Sequence, residues 1–460
     1  MKIVVCIRQG LDGDINPFDA CAYEAALQIA GSEITLLSMG PEKTKDFLHQ
    51  LTRRGAKNAV LLSDAAFAGA DTLATAYALG LAIKKIKPDM VFCGRQTLVG
   101  DTAQTGPMLS VMCDYSLITG VMEIKQIDKN ITCMTRTEGE ITAALPTLIT
   151  VERINNLRLP SIRSKTGEIE VWSADDIGAD KSKCGLIGSP TRVLKTYENS
   201  QGKRKCKFIT LSELDEVVTT ALAEQSKKLD IKSSGEHKLK KVVIIGENVR
   251  EFADTISDDI CLLTNDDEQK IIDYIVNNKP NAVLWGSDAR SKRMAATVAA
   301  RLGLGLCADC TVLETDGEKL IMYRPALSGS IIAKIESLTK PAMATVRTKD
   351  SLNKDVFVAV GYGAKDSLEW VKDLAKKYDA ELSSTRKAVD NGIMPYATQV
   401  GLTGRSVAPP VYIAVGVSGA VHHIVGMQSS GTVIAINSDK NADIFDYADY
   451  GIIEDIGFRI

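Results

Sequence analysis

The chain has 460 residues, of which 45% are hydrophobic and 25% are charged, and its formal net charge is -3 at pH 7. These values are ordinary for a globular protein of about three domains, and the balanced charge excludes a field that would attract nucleic acid or an anionic membrane. No apolar run is long enough for membrane insertion. Ten cysteines without regular spacing fit a reducing, cytoplasmic setting, and the isolated pair Cys307 and Cys310 lacks the further ligands of a metal site.

The first 155 residues alternate between strand and helix patterns. Strands are predicted at residues 3–7, 33–38, 58–62 and 90–94, and helices at 16–31, 41–55 and 72–86. Repeated βα units predict a mostly parallel sheet with helices on both faces. The loop at residues 94–106 leaves the carboxyl end of a strand, where open α/β sheets bind ligands. Gly100 would let the backbone approach a ligand, while Asp101 and Thr102 could simply cap the next helix, and both interpretations stay open.

An internal repeat follows. Residues 87–94 resemble residues 279–286, and residues 145–151 resemble residues 340–346. A repeat of this length predicts two related α/β domains in one chain, packed about a pseudo-twofold axis. Only the first copy has the stretch Gly-Asp-Thr-Ala-Gln at 100–104, so if this loop binds a nucleotide, only the first copy should.

Two polar segments are predicted to separate the domains. The basic run at residues 203–207 is interpreted as a solvated loop. A capping box formed by Thr210 and Glu213 predicts a helix, and the Lys-rich residues 225–240 after it are typical of a linker. A shorter linker at residues 347–354 leads to a third domain, with a strand at 355–361 and a helix at 368–378.

The strongest motif lies in the third domain. Residues 411–415 and 432–436 are apolar runs typical of buried parallel strands. Ser418 is a good N-cap, which predicts that a helix begins at Gly419. Free N–H groups at Ser418, Gly419 and Ala420, together with the positive end of the helix, would favour a pyrophosphate. A glycine-rich turn without a ligand remains the alternative.

These motifs together resemble one family. Residues 400–437 and Asp449-Tyr-Gly look like the FAD-binding domain of the electron transfer flavoprotein α subunit. Asn16-Pro-Phe, Gly94-Arg-Gln and residues 100–106 look like the β subunit of the same family. The resemblance implies a β subunit fused to an α subunit, with an α/β fold of two related parallel-sheet domains and a C-terminal Rossmann-like FAD-binding domain. The implied divisions are residues 1–205, a helix and linker at 206–240, residues 241–348, and residues 353–460.

The resemblance implies one FAD in the third domain. The loop along the flavin is matched by Val400, Gly401, Leu402 and Thr403, and the turn at the pyrophosphate and ring by Ser418, Gly419, Ala420, Val421, His422 and His423. A pair at the flavin is matched by Thr385 and Arg386, and the contacts to the adenosine end by Asn437, Asp455 and Ile456. In this assignment the Thr403 hydroxyl lies near flavin N5 and His423 lies beside the O2 edge. An imidazole and a guanidinium there would stabilise negative charge on the flavin.

Two positions depart from the family pattern. Tyr362 stands where an arginine near the flavin is usual, and Leu402 stands where glutamine is usual. Loss of a fixed positive charge should lower the flavin potential. We therefore expect FAD binding with altered redox properties.

The resemblance also implies a second nucleotide in the first domain, which is AMP in the plain carriers and a second FAD in the bifurcating members. The matching positions are Cys6, Asn16, Asp19, Met39, Val99, Gly100, Asp101, Thr102, Gln104 and Thr105. Residues 100–104 and 185–191 look more like the two-FAD members. Leu159 falls where the family presents a leucine to its partner dehydrogenases, although an ordinary core turn is an equal interpretation.

The leading hypothesis is an electron carrier without catalytic residues of its own. It would move electrons between a flavin-dependent, acyl-CoA-type dehydrogenase, or another redox partner, and an acceptor. One alternative is a two-FAD module that oxidises NADH and splits the electron pair. Another is a nucleotide-binding or nucleotide-hydrolysing α/β protein, but the chain has no Walker-type phosphate loop.

Overall fold

The computed structural model describes residues 1–10, 13–152, 155–198, 203–228, 237–263, 267–327, 331–347, 354–401, 404–405, 407–428 and 430–455. These residues form two compact units. The first unit comprises Met1–Lys195, Ser233–Arg324 and Ala333–Arg347, and the second comprises Thr196–Lys232, Pro325–Ile332 and Thr348–Ile460. Within the first unit we call Met1–Lys195 the first lobe and the other two segments the second lobe; the ends of three strands named below, residues 196–198, 325–326 and 331–332, are counted with the second unit.

The first lobe is built on a nine-stranded sheet. Its elements are β1 (Lys2–Cys6), α1 (Pro17–Leu27), β2 (Glu33–Met39), α2 (Thr44–Thr52), β3 (Asn58–Leu62), α3 (Thr72–Ile86), β4 (Met90–Gly94), α4 (Thr105–Cys113), β5 (Ser116–Ile127), β6 (Asn130–Thr135), β7 (Gly139–Ala144), β8 (Thr147–Val151), β9 (Glu168–Trp172) and β10 (Thr191–Glu198). The strand order is β7-β6-β5-β8-β4-β1-β2-β3-β9, and β10 belongs to a separate sheet. Every pair from β5–β8 to β3–β9 is parallel, which confirms the predicted parallel sheet.

Two elements of the second unit come next in the chain, β11 (Lys207–Phe208) and α5 (Leu214–Lys228). The predicted capping box is present, with Thr210 and Glu213 exchanging both of its hydrogen bonds. Leu214, Val218 and Ala221 of α5 are buried in one cluster with Val356 and Val358 of the second unit. The predicted linker at 225–240 is therefore wrong at its start, because the helix continues to Lys228; residues 229–236 lie outside the described ranges.

The second lobe repeats the topology of the first. Its elements are β12 (Val242–Ile245), α6 (Arg250–Ile256), β13 (Ile260–Leu263), α7 (Glu268–Asn278), β14 (Ala282–Trp285), α8 (Ala289–Leu302), β15 (Leu306–Cys310), β16 (Val312–Thr315), β17 (Leu320–Ala326), β18 (Ile331–Ser337) and β19 (Ala342–Val346). The order β13-β12-β14-β19-β15 reproduces β2-β1-β4-β8-β5 of the first lobe, and the remaining strands form the sheet β10-β18-β17-β16. The equivalent helices α4 and α8 pack on each other, as a pseudo-twofold arrangement requires, and one hydrophobic cluster runs through both lobes.

The second unit continues with the C-terminal domain. Its elements are β20 (Val356–Val360), α9 (Leu368–Lys377), β21 (Glu381–Ser384), α10 (Arg386–Asp390), β22 (Val411–Val415), α11 (Val421–Met427), β23 (Thr432–Asn437) and β24 (Tyr450–Ile453). They form a six-stranded parallel sheet of order β11-β24-β23-β22-β20-β21. β20, β22 and the middle of β23 are buried throughout, as their apolar runs predict.

Across the described ranges, no helix is both long and apolar enough to span a bilayer. Nor do the described residues contain a group of three or more His, Cys, Asp or Glu side chains that could hold a metal ion. All ten cysteines are free thiols, and Cys307 and Cys310 are buried.

Candidate functional sites

The turn that follows β22 owes its glycines to backbone that packs against it. Gly416 and Gly419 have φ values of 62° and 94°. A Cβ added at Gly419 would lie 2.1 Å from the Ile444 nitrogen, and one at Gly416 would lie 2.4 Å from the Ala364 nitrogen. Both the conformation and the space therefore require glycine, whether or not a ligand binds.

The opposite side of this turn is open. Ser418 and Ala420 are exposed, and the N–H groups of Ser418, Gly419 and Ala420 have no hydrogen-bond partner among the described residues. The prediction that Ser418 caps a helix beginning at Gly419 is wrong. Helix α11 begins at Val421, because the carbonyl of Ala420 accepts the first bonds, from the N–H groups of His423 and Ile424. The turn thus presents three free donors, which suits an anion such as a pyrophosphate.

Asn437 holds the turn from the neighbouring strand. Its Nδ2 donates to the carbonyl of Val417 over 2.8 Å, and its Oδ1 accepts from the N–H of Asp439 over 2.9 Å. Asp455, the other described residue expected at the adenosine end, is exposed. Ile456 lies outside the described residues, as do Leu402 and Thr403 and the side chain of His422.

His423 differs from its expected role as a partner for negative charge on the flavin. Its ring is 5% exposed, with Nδ1 3.0 Å from the Val400 carbonyl oxygen and Nε2 3.1 Å from the Tyr412 hydroxyl. Since a carbonyl can only accept, Nδ1 carries the proton and Nε2 accepts from Tyr412. Burial lowers the pKa of His423 to about 4, so the imidazole is neutral near pH 7. Both ring nitrogens are occupied by protein groups, and His423 ties α11 to the loop at Val400.

The loop at Val400 and Gly401 is held from three sides. The N–H of Val400 donates to the Ser384 carbonyl over 2.9 Å, and the N–H of Gly401 donates to the Arg405 carbonyl over 3.0 Å. A Cβ at Gly426 of α11 would lie 2.3 Å from the Gly401 nitrogen. Val400 and Gly401 are therefore placed beside α11.

Positive charge surrounds Tyr362 even though the usual arginine is missing. The ammonium groups of Lys365 and Lys387 lie 5.3 and 4.5 Å from the centre of the Tyr362 ring. Thr385 caps α10 by accepting from the N–H of Ala388, and the Nε of Arg386 lies 3.1 Å from the Asp390 carboxylate. The expectation that position 362 simply loses a cation is therefore incomplete, since two lysines that the sequence analysis did not single out supply cations.

Arg204 is a further residue that sequence reasoning missed. The run at 203–207 was expected to be solvated, but Arg204 is only 12% exposed. It donates to the carbonyls of Gln428, Ser430 and Gly431, over 3.1, 2.7 and 2.7 Å, and pairs with the carboxylate of Asp449. It thus satisfies carbonyl groups where α11 ends. The flanking lysines are exposed, so the pattern of the run carries no signal that singles out Arg204.

In the first lobe the expected nucleotide residues lie at the ends and connections of the strands. Cys6 and Met39 end β1 and β2, Asn16 and Asp19 open α1, Val99, Gly100, Asp101 and Thr102 lie in the loop after β4, and Gln104 and Thr105 open α4. Because β1, β2 and β4 are parallel neighbours, their carboxyl ends share one edge of the sheet. The structure therefore brings this set together at the edge where α/β proteins bind ligands.

Asp19 supports the start of the loop. Its carboxylate oxygens accept from the N–H groups of Arg8 and Gly94 over 2.8 and 3.2 Å. Burial raises the pKa of Asp19 to about 7 against the lowering effect of these bonds. A Cβ at Gly94 would lie 2.4 Å from Asp19 Oδ1 and 2.6 Å from the Phe18 carbonyl carbon, so only glycine fits here.

The loop itself is held by its own bonds. Of the two suggested caps, Thr102 accepts from the N–H of Gln104 over 3.5 Å, whereas Asp101 does not bond to the helix start. Helix α4 has Gln104 as its N-cap, and Asp101 instead accepts from Gln96 Nε2 over 2.5 Å. Asp101 and Ala103 have φ values of 51° and 54°, which non-glycine residues adopt at a cost.

Within the described part of the chain, two buried polar atoms beside this loop have no hydrogen-bond partner. They are Oδ1 of Asn16 and Nε2 of Gln104, whose residues are 3% and 1% exposed. The other side-chain atoms are satisfied, since Asn16 Nδ2 donates to the Gln96 carbonyl over 3.0 Å and Gln104 Oε1 accepts from Thr72 over 3.0 Å. One unmet acceptor and one unmet donor fit a ligand with both kinds of group, such as a nucleotide.

Leu159 is an exposed residue on an anchored segment. It is 84% exposed and Ile162 is 99% exposed, so the alternative of a core turn is wrong. The preceding Arg158 binds Glu24 of α1 in a bidentate pair, with 3.0 Å from Nε to Oε2 and 2.7 Å from Nη2 to Oε1. The backbone N–H of Arg158 adds a third bond to Glu24 over 3.0 Å. A fixed base with apolar side chains in solvent is suited to docking another protein.

Parallel sheets with an open donor turn after β22, and with polar connections at the carboxyl ends of their strands, are typical of nucleotide-binding α/β proteins. The model of the electron transfer flavoprotein domain matches residues 3–177 and 263–356, and that of the electron transfer flavoprotein FAD-binding domain matches residues 352–428. The chain belongs to the electron transfer flavoprotein family. It joins regions that resemble the β subunit and the FAD-binding part of the α subunit in one polypeptide, as predicted.

Curated relatives match the N-terminal part of the chain. Protein FixA of Azorhizobium caulinodans is 41% identical over 227 residues, which are 45% of this chain and 81% of FixA. The electron transfer flavoprotein subunit beta of Thermoanaerobacterium thermosaccharolyticum is 41% identical over 202 residues, 41% of this chain and 78% of that protein. The subunit beta of Megasphaera elsdenii is 42% identical over 214 residues, 42% of this chain and 79% of that protein.

Proposed function

We propose that this chain carries electrons from a flavin-dependent dehydrogenase to an acceptor through one FAD bound in its second unit. The observation that carries the proposal is the presence, in one chain, of two lobes with the same topology and a matching FAD-binding domain. Family membership supports the electron-transfer role. The direction of transfer, the partner and the number of flavins are part of the proposal.

The described residues of the second unit fit the phosphate end of FAD. The free N–H groups of Ser418, Gly419 and Ala420 would receive the pyrophosphate, and Asn437 would keep their turn in place. FAD, when bound, supplies the redox chemistry. The protein's contribution would be to orient the ligand, exclude water and set the local charge.

Local charge in this proposal comes from lysines and not from the histidine. Lys365 and Lys387 stand at the ring of Tyr362, and Arg386 lies next to Lys387 at the start of α10. Cations near a flavin favour its negatively charged reduced form. His423 is neutral and would act by holding the loop at Val400 in position.

We propose that the first lobe holds a second nucleotide, either AMP or another FAD, beside the loop after β4. The unmet Oδ1 of Asn16 and Nε2 of Gln104 support a ligand there. In the second lobe, α8 begins directly after its N-cap Asp288, whose Oδ1 accepts from the N–H of Ser291 over 3.0 Å. The corresponding stretch is therefore used as a helix start, which supports a single site.

We propose that Leu159 docks a flavin-dependent, acyl-CoA-type dehydrogenase. Its exposure and the anchoring of Arg158 to Glu24 support this role. Ile162, which is even more exposed, would extend the same apolar contact.

Nucleotide analysis of the purified full-length chain tests the proposal. The chain should be yellow, and heat-released supernatant should contain two nucleotides for each chain, one FAD with either one AMP or a second FAD. Two FAD molecules for each chain would instead favour the NADH-oxidising module. A protein that stays colourless after incubation with FAD would contradict both versions.

A further inference from the structure

The ring of Tyr362 lies beside two ammonium groups that come from different elements. Lys365 follows Tyr362 in the turn after β20, and Lys387 lies on α10, after β21. Their Nζ atoms lie 5.3 and 4.5 Å from the centre of the Tyr362 ring, within the range in which the face of an aromatic ring attracts a cation. One ring therefore holds two cations that would repel each other without it. We call these three residues the Tyr362 cluster.

The Tyr362 cluster stands at the edge of the C-terminal sheet where a ligand is expected. β20 pairs in parallel with β21 on one side and with β22 on the other, so the carboxyl ends of the three strands share one edge. The N–H of Gly363 donates to the carbonyl of Gly416 over 3.0 Å, which places Tyr362 next to the turn after β22. That turn carries the three free N–H groups proposed to receive the pyrophosphate. The cluster thus flanks the proposed FAD site.

The carboxylates near the cluster do not neutralise it. Asp366 lies 4.0 Å from the Nζ of Lys365 and is exposed, so water screens this pair. Asp390 is paired with Arg386. In the described part of the chain no carboxylate lies within ion-pair distance of Lys387. An excess of positive charge therefore remains, and it favours a ligand that gains negative charge.

We propose that Tyr362 is a positioning residue of the FAD site, whose ring keeps the ammonium groups of Lys365 and Lys387 where they stabilise the negative charge of the reduced flavin. A lysine at the surface has a flexible side chain and a mobile charge, and contact with the ring restricts both. Tyr362 then acts through the lysines and not through a charge of its own. This inference rests on the FAD proposed above for the second unit.

The test is the two-electron midpoint potential of the bound flavin, measured by dye-coupled reductive titration of the full-length chain. In Lys365→Met/Lys387→Met the affinity for reduced flavin relative to oxidised flavin should fall about fivefold to tenfold, because exposed cations act partly through water. This change corresponds to a potential lower by about 20–30 mV, since a tenfold change is about 30 mV for two electrons. Tyr362→Leu should lower the same ratio about threefold to fivefold. Tyr362→Phe keeps the ring and should stay within about twofold of the wild type.

A double-mutant cycle separates action through the lysines from direct contact of Tyr362 with the flavin. In the Lys365→Met/Lys387→Met background, Tyr362→Leu should shift the potential no further. Lys377→Met is the matched control. Its Nζ also lies over a tyrosine ring, 5.4 Å from the centre of Tyr378, but at the end of α9, which leads back to the start of β21 and away from the carboxyl edge. This control should leave the potential unchanged. If the chain carries two flavins, only one of the two potentials should move.

Three results would each overturn the inference. Tyr362→Leu leaves the potential unchanged, Tyr362→Phe lowers it as much as Tyr362→Leu, or Tyr362→Leu lowers it equally with and without the lysines. If Tyr362→Leu does not fold, the variant without the two exposed lysines decides in its place, and a potential equal to that of Lys377→Met sinks the idea. A full-length chain that binds no FAD would instead refute the proposed function, and this inference with it.

Discussion

Replacing Arg204 with alanine should destabilise the second unit and loosen its hold on flavin. Arg204 is 12% exposed and bonds to three carbonyls in the segment after α11, at residues 428, 430 and 431. It also pairs with Asp449, whose carboxylate accepts from the N–H of Val433 over 2.8 Å. Removing the guanidinium leaves those carbonyls and the carboxylate without their shared partner.

The size of the effect follows from burial. Breaking a buried ion pair by removing one partner costs about 3–5 kcal/mol. The Asp449 side chain is 36% exposed, so water compensates part of this loss and the lower end applies, about 3 kcal/mol. For a unit of this size that corresponds to a fall in melting temperature of about 6–12 °C.

The assay is the temperature at which the full-length protein releases flavin, read from flavin fluorescence, beside thermal unfolding followed by circular dichroism. Lys203→Ala is the matched control, because Lys203 pairs with Asp446 while 73% exposed, and such surface pairs contribute less than about 1 kcal/mol. If Arg204→Ala and Lys203→Ala have equal release temperatures, then the buried cap does not stabilise the unit and the reasoning fails.

Three further predictions concern other parts of the chain. Gly94→Ala should lower the free energy of unfolding by about 1–3 kcal/mol, because the added Cβ would lie 2.4 Å from Asp19 Oδ1. Gly100→Ala, whose Cβ meets only a hydroxyl at 3.3 Å, should leave that free energy nearly unchanged. Urea unfolding measures both, and equal losses of stability would contradict the prediction. His423 stays neutral in the fold down to about pH 4, whereas the unfolded chain takes up its proton near the ordinary pKa of 6.5. Stability should therefore fall as pH drops through this window, by up to about 3 kcal/mol, and His423→Gln should flatten the slope in urea titrations at several pH values; an unchanged slope would count against it. Arg158→Ala should slow electron transfer from a dehydrogenase about tenfold at unchanged flavin content, measured by stopped flow, and an unaltered rate would exclude the anchored docking segment.

The strands were predictable because buried parallel strands have uninterrupted runs of apolar residues in the sequence. The runs at 58–62, 90–94 and 411–415 coincide with β3, β4 and β22. The start of α11 was not predictable in this way. Ser418 is a residue type that commonly caps helices, yet the helix begins after Ala420, whose carbonyl accepts its first hydrogen bonds. Here the packing of the turn against Ile444 outweighs the preference of Ser418 for the N-cap position.

Side-chain roles that depend on distant partners were out of reach of the sequence. The carbonyls that bind Arg204 come more than 220 residues later in the chain, and the pattern of the basic run does not predict these contacts. The neutral state of His423 depends on its burial in the folded second unit, which outweighs the bond to the Val400 carbonyl, and motif matching does not show burial. Arg324 reaches Asp101 across the two lobes, so only the folded first unit reveals the contact.

The position of β11 and α5 decides where this polypeptide can be divided into two. Both elements precede the second lobe in the chain, yet β11 extends the sheet of the C-terminal domain and α5 fills part of its core. A gene split around residues 199–202 keeps them with the C-terminal fragment, so that a two-polypeptide version retains a complete sheet and core in that half. A split around residues 229–236 would leave β11 and α5 on the N-terminal fragment. The C-terminal domain would then depend on the other polypeptide for one strand of its sheet and for part of its core.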